Sequence, residues 1–270
     1  MISDWDDAYA NADHIPGAAD YPDRWAKAAA AFRAAHRRAE LDIAYGDGAR
    51  RRLDLFHPDG TARGLAVFVH GGYWKAFDKS RWSHLAAGAV ARGWAVCLPS
   101  YTLAPDARIA EITADIGDAI ACAAARVAGP IRLAGHSAGG HLVSRMVCTD
   151  SPLPEPVQQR VAHVLSISGV HDLRPLLRTA MNATLRMDAE EARSESPALL
   201  VPRTGTRLTA WVGADERPEF LRQNDLLANI WTGLGADTWA VHDVGRHHFD
   251  VIAGLEQDGA ALTGAFLGDD

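Results

Sequence analysis

Ile131-Arg132-Leu133-Ala134-Gly135-His136-Ser137-Ala138-Gly139-Gly140-His141-Leu142 is the stretch on which the reading of this chain turns. An apolar run of strand type ends at Gly135, and a small-residue helical pattern starts directly after Ser137. Gly135 and Gly139 stand two positions either side of the serine, in the arrangement G-x-S-x-G. A strand-to-helix turn this tight admits only glycine-sized neighbours and holds the serine strained with its hydroxyl exposed, a nucleophile elbow. The serine also stands at a helix N-terminus, where free amides and the helix dipole favour developing negative charge. Chance supplies about 0.1 such pentads in a chain of this glycine and serine content, so the motif has meaning only in context. The competing explanation is a glycine-rich helix start with an ordinary serine cap.

Outward from the elbow, strands and helices alternate. Leu65–Val69 is a continuous apolar strand, Asp78 to Arg92 a helix stopped by Gly93, and Trp94–Leu98 a buried strand. Arg108 to Val127 is a long helix that hands over to the strand at Ile131. Val161–Ile167, Arg207–Val212 and Asp237–His242 are further strands, and a terminal helix runs from about Phe249 to Phe266. Such βαβ repetition predicts an α/β fold, a mostly parallel sheet with helices on both faces. Ahead of it, a helix from about Tyr21 to Arg38 precedes two alternating segments, Glu40–Ala44 and Arg51–Phe56. Tyr45-Gly46-Asp47-Gly48 joins these two as a hairpin, an antiparallel edge. His171 to Thr206 breaks the alternation and reads as a small helical cap, about residues 171–206, over the C-terminal side of the sheet. Residues 1–270 are therefore expected to form a single domain with that insertion.

Composition excludes several classes. The 270 residues are 48% apolar and 23% charged, as in an ordinary globular protein, and can bury a sizeable core. A formal net charge of −7 argues against nucleic acid or an anionic membrane as partner. The arginine clusters at 33, 37 and 38 and at 50 to 52 read as solvated faces. Met1 to Ala10 is acidic without an apolar signal core, and no apolar run has the length of a membrane span. Three cysteines, Cys97, Cys122 and Cys148, lie at unpatterned spacings within apolar segments, which predicts buried free thiols and a cytoplasmic setting. Despite 12 histidines there is no H-E-x-x-H, H-x-x-E-H or H-x-H cluster to hold a metal.

An elbow serine needs a base, an acid to orient the base, and donors for the oxyanion. Asp215 is the candidate acid because it directly follows the strand ending at Val212, with Glu216 expected to point elsewhere. Asp172 is the alternative acid, and a helix cap before Pro218 is the competing role for Asp215. The loop Asp243–Phe249 offers two adjacent histidines, His247 and His248. Neighbours in an extended loop face opposite ways, and His248, next to the helix-entry Phe249, is the candidate base. After the strand Leu65–Val69 comes His70-Gly71-Gly72-Tyr73-Trp74, a turn able to aim the amides of Gly72 and Tyr73 at the same point as that of Ala138. Ser137, Asp215 and His248 with an oxyanion hole of Gly72, Tyr73 and Ala138 make a serine hydrolase.

These motifs resemble the kynurenine formamidase (arylformamidase) branch of the α/β-hydrolases, close to the hormone-sensitive-lipase-like esterases. The similarity lies in His70–Trp74, Gly135–Leu142, Gly213–Glu216 through Pro218-Glu219-Phe220, and Ser100-Tyr101-Thr102-Leu103-Ala104-Pro105. It implies cleavage of N-formyl-kynurenine, or of small aryl esters, with no cofactor. Tyr73 stands where the esterases carry a third glycine, and His247 where relatives often carry asparagine. Trp74, Tyr101 and His136 are the expected pocket residues for a small-molecule substrate, and a homodimer is the assembly left open. A broad-range carboxylesterase is the first rival. A binding protein without catalysis and a metal-dependent hydrolase are the others.

Overall fold

The computed structural model describes residues 2–268. Its strands are β1 (Ala39–Ala44), β2 (Arg52–Phe56), β3 (Leu65–Val69), β4 (Ala95–Pro99), β5 (Ile131–His136), β6 (Val161–Ile167), β7 (Arg207–Gly213) and β8 (Asp237–Asp243). They form one sheet in the order β1-β2-β4-β3-β5-β6-β7-β8. β1 and β2 pair antiparallel, as do β2 and β4; every later pairing is parallel. β3 and β4 are buried at every position, which is why both read as continuous apolar runs.

Two hydrophobic cores lie on opposite faces of this sheet, and the strand alternation sorts residues between them. Leu65, Val67 and Val69 of β3 join the core beneath the helices Ile109–Ala124 and Pro218–Gly233, whereas Ala66 and Phe68 join the other. In the first of those helices Ile109, Ile112, Ile116 and Ile120 recur at helical spacing and are fully buried. Each such side chain is worth about 1.5–3 kcal/mol of transfer free energy. No helix among the described residues is long and apolar enough to cross a membrane.

Three expected elements come out differently. Asp78 to Arg92 forms 3-10 turns at Lys79–Arg81 and Ser83–Ala86 before the short helix Ala87–Ala91. Asp78 caps the first turn through the Ser80 amide, and Trp82 leaves helical geometry to pack, tilted at 41°, with its ring centroid 4.7 Å from that of Trp25. The terminal helix is likewise split, into the turn Val251–Glu256 and the helix Ala261–Leu267, around Gln257-Asp258-Gly259. The helix from Tyr21 stops at Ala35, not Arg38. The insertion 171–206 is a run of short turns and helices, the longest Ala189–Ser194. It is tied down by Gln223, whose Oε1 accepts from the amides of His171 and Asp172, each at 2.8 Å.

Because β3, β5, β7 and β8 are parallel, their C-terminal ends meet at one rim of the sheet. There the 70–74 turn, Ser137, the 214–216 turn and the 244–249 loop come together.

Candidate active site

Ser137 sits at φ +57°, ψ −117° between β5 and the helix Ala138–Arg145, the strained backbone its sequence context demands. Its neighbours explain the glycines. A Cβ on Gly135 would lie 2.1 Å from the Gly139 carbonyl oxygen, and one on Gly139 would lie 2.0 Å from that of Val69. Neither position tolerates alanine. The Ser137 amide donates to the Ile167 carbonyl at 2.8 Å, which locks the turn to β6.

His248 lines the same cavity as Ser137 and is 4% exposed. Its Nδ1–H donates to Oε2 of Glu216 at 2.6 Å. The sequence points to Asp215 for this contact; in the structure Glu216, expected to point elsewhere, makes it. Asp215 is exposed, in a turn fastened by its amide to the Arg246 carbonyl, while the next residue turns its carboxylate inward. Glu216 is fully buried and accepts in addition from the Gly213 amide at 2.9 Å and from Ser168 Oγ at 2.5 Å. Those donors satisfy the carboxylate without water. The alternative acid, Asp172, is paired with Arg174 at 2.9 Å. His247 is held away from the cavity by Tyr21 Oη at 3.1 Å and by Asp250.

The His248 ring is gripped on two sides, by Phe220 at 4.6 Å and His136 at 4.7 Å between centroids. His136 Nε2–H donates to the His248 carbonyl at 2.9 Å. Burial, reinforced by the nearby His248, holds the His136 pKa well below the usual histidine range, so its ring stays neutral.

The 70–74 turn reaches Ser137 through glycine. A Cβ on Gly71 would stand 3.0 Å from the Ser137 Cβ and 2.9 Å from the His136 carbonyl. Gly72 adopts φ +113°, and no protein acceptor takes its amide or that of Tyr73 among the described residues. Ala138 opens its helix, so its amide is one of those a first turn leaves without an intrahelical acceptor. Two expected pocket residues do not belong to the pocket. Trp74 is fully buried in the core, donating Nε1–H to His141 Nδ1 at 3.2 Å. Tyr101 is equally buried, stacked on His70 and donating to its carbonyl at 3.1 Å. Positive φ at both Tyr73 and Trp74 sends Tyr73 toward the cavity and its neighbour inward. His136, by contrast, does line the cavity.

That cavity measures about 360 Å³. Trp25, Phe77, Trp82 and Phe249 give it an aromatic wall, and Lys75 and Asp13 stand exposed among its lining residues. Its cover differs from the one expected. The 171–206 insertion contributes only Met181, whereas the segment 9–13 contributes five residues from Tyr9 to Asp13. This segment is strapped across the chain: Tyr9 Oη donates to Glu219 Oε1 at 2.7 Å, Tyr73 Oη donates to the Tyr9 carbonyl at 2.6 Å, and Arg217 pairs with Asp7. In the sequence it reads only as the continuation of an acidic start, Met1 to Ala10. Such an arrangement can position a carbonyl compound beside a serine whose base is already oriented.

Comparison with known proteins agrees with this fold. The model of the alpha/beta hydrolase family matches residues 66–263. Kynurenine formamidase of Danio rerio is 28% identical over 239 residues, spanning 84% of this chain and 80% of that protein. The crystal structure of a candidate thioesterase from Silicibacter sp. has a TM-score of 0.93 at 51% identity, covering 98% of this chain and 99% of the other. Pyrobaculum calidifontis esterase is similar in fold, with a TM-score of 0.70 at 19% identity over 92% and 90% of the two chains.

Proposed function

The chain belongs to the alpha/beta hydrolase family and is a hydrolase, and from that premise we propose that it is an arylformamidase acting on N-formyl-kynurenine or a related aryl formamide. The observation that carries this reading is the composition of the cavity beside Ser137. An aromatic wall suits an aryl ring, and one cationic and one anionic side chain, Lys75 and Asp13, suit an amino-acid head group. Similarity to a kynurenine formamidase over four-fifths of that protein's length supports the same substrate.

In the proposed mechanism Ser137 Oγ attacks the formyl carbon and gives its proton to His248 Nε2. Glu216, at Nδ1, keeps the neutral ring in the tautomer with Nε2 unprotonated and then stabilises the imidazolium. The amides of Gly72, Tyr73 and Ala138 hold the oxyanion; loss of one such donor costs about 3–4 kcal/mol of transition-state stabilisation. The leaving arylamine takes the proton from His248, and water, activated by the same ring, releases formate from the serine ester. No cofactor takes part. The unpaired cysteines support a reducing, cytoplasmic setting, and the 171–206 insertion serves as a buttress within one domain.

A second reading is hydrolysis of short-chain acyl esters or thioesters by the same groups, favoured by the thioesterase description of the 51% identical Silicibacter protein. Steady-state kinetics decide. The formamidase reading expects kcat/KM for N-formyl-kynurenine at least tenfold above that for phenyl acetate and for an acetyl thioester. Ready ester cleavage with no formate released from the formamide would replace it with the second reading.

A further inference from the structure

Asn11 is a polar side chain that the chemistry above leaves unused. It is 6% exposed and lines both the cavity of Ser137 and the smaller pocket behind His248 and Glu216. Hydrogen bonding fixes which end of its amide faces which way. Tyr73 Oη donates its one proton to the Tyr9 carbonyl at 2.6 Å, so only lone pairs remain on that oxygen. Asn11 can therefore offer it only the NH2 group, and Nδ2 does lie 3.4 Å away. The opposite end, Oδ1, is buried with no protein donor among the described residues. The backbone that carries the side chain is held as well. The Asn11 amide is bonded to the Tyr9 carbonyl at 3.1 Å, and Tyr9 is anchored through its hydroxyl to buried Glu219 at 2.7 Å and to Gln223 at 3.1 Å.

A buried carbonyl oxygen held without a donor is costly in a resting protein and becomes favourable when a ligand supplies the donor. We propose that Asn11 Oδ1 is a specificity-determining acceptor for an N–H group of the substrate, either that of the scissile amide or that of an amino group on the aryl ring. This rests on reading the Ser137 cavity as the substrate site and deepens it, since esters carry no scissile N–H. A site built to bond a donor discriminates against the analogue that lacks one, because the acceptor then stays unpaired.

The test uses two substrate pairs and reads only the preference within each. Formanilide against N-methylformanilide reports on the scissile N–H. 3-Aminophenyl acetate against phenyl acetate reports on a ring amino group and needs no formamidase activity. In at least one pair the wild-type protein should prefer the N–H-bearing member, in kcat/KM, by about tenfold. Asn11→Ala should bring that preference close to unity, and Asn11→Asp, which keeps an acceptor, should retain it. A merely structural asparagine would lower both members of a pair alike and leave the ratio untouched, which overturns the proposal. So does a wild-type protein without preference in either pair. If neither formamide is cleaved, the formamidase reading fails while the ester pair still decides the role of Asn11. Should Asn11→Ala fail to fold, an Asn11→Asp protein that has lost the preference refutes the assignment.

Discussion

Replacing Glu216 by glutamine probes the site at its most constrained point. Glu216 Oε1 accepts from the Gly213 amide and from Ser168 Oγ, and Oε2 accepts from His248 Nδ1. The backbone amide can only donate, so in Glu216→Gln the amide oxygen must take the Oε1 place. The NH2 group then faces His248 Nδ1. Two donors cannot share that contact, and the ring shifts its proton to Nε2, the atom that must accept from Ser137. Once the ring has shifted its proton all three contacts remain hydrogen bonds, the third with its direction reversed, so thermal unfolding should move little. Catalysis should fall about 10⁴-fold, the scale known for the equivalent change in serine proteases, or about 5.4 kcal/mol in activation free energy. Asp215→Asn, at an exposed position, should stay within threefold of wild type. The assay is kcat for one activated aryl ester at pH 8, with a melting curve for each variant. A Glu216→Gln protein with more than a tenth of wild-type turnover, or a collapse confined to Asp215→Asn, would refute the assignment.

Other expectations follow from the same contacts. Ser137→Gly should abolish turnover yet raise stability by about 1 kcal/mol, because glycine adopts φ +57° without strain; denaturant midpoints measure it, and a less stable variant contradicts the strained elbow. His248→Ala should remove nearly all activity, and His247→Ala, whose ring bonds Tyr21 and Asp250, should keep kcat within a few-fold on the same ester. Acid should destabilise the protein through buried histidines. Burial pushes His70 and His84 down to about 4 and His141 and His171 down to about 3, with His136 well below its ordinary value. Such groups are neutral in the folded protein and take up protons on unfolding below about pH 6.5, so stability is full above that pH and falls as pH drops toward 4. Each contributes at most about 2 kcal/mol of loss between pH 7 and 5; urea midpoints at the two pH values would show it, and equal midpoints would contradict neutral burial.

Local chemistry was the legible part of this site. A strand, a glycine-flanked serine and a helix start are contiguous, so β5 and Ser137 followed directly from the sequence, as did the 70–74 turn. The choice between Asp215 and Glu216 was not local. It depends on the Asp215 amide meeting the Arg246 carbonyl 31 residues on, a contact that swings the next side chain inward. Trp74 and Tyr101 misled because a large aromatic beside a catalytic turn suits core and pocket alike, and backbone torsions decide between them. The covering segment escaped notice for a related reason: its bonds join Tyr9 to residues 64 and 210 positions away. Within the last stretch, Asp258-Gly259 was a turn signal that the apolar period of its flanks concealed.

The strap of residues 9–13 lies outside the region 66–263 in which the family is recognisable. Part of the cavity's cover is thereby encoded outside the region that the family shares. The sheet and its rim carry Ser137 and most of the cavity wall, while an N-terminal ribbon, joined by a handful of side-chain bonds, adds the five lining residues from Tyr9 to Asp13. Tyr9 belongs to the core, but Ala10, Ala12 and Asp13 lie outside both cores, so changes at those three can alter the cavity without endangering the fold. Chimaeras that exchange the first twenty residues between two relatives are the direct way to test whether substrate choice travels with the ribbon.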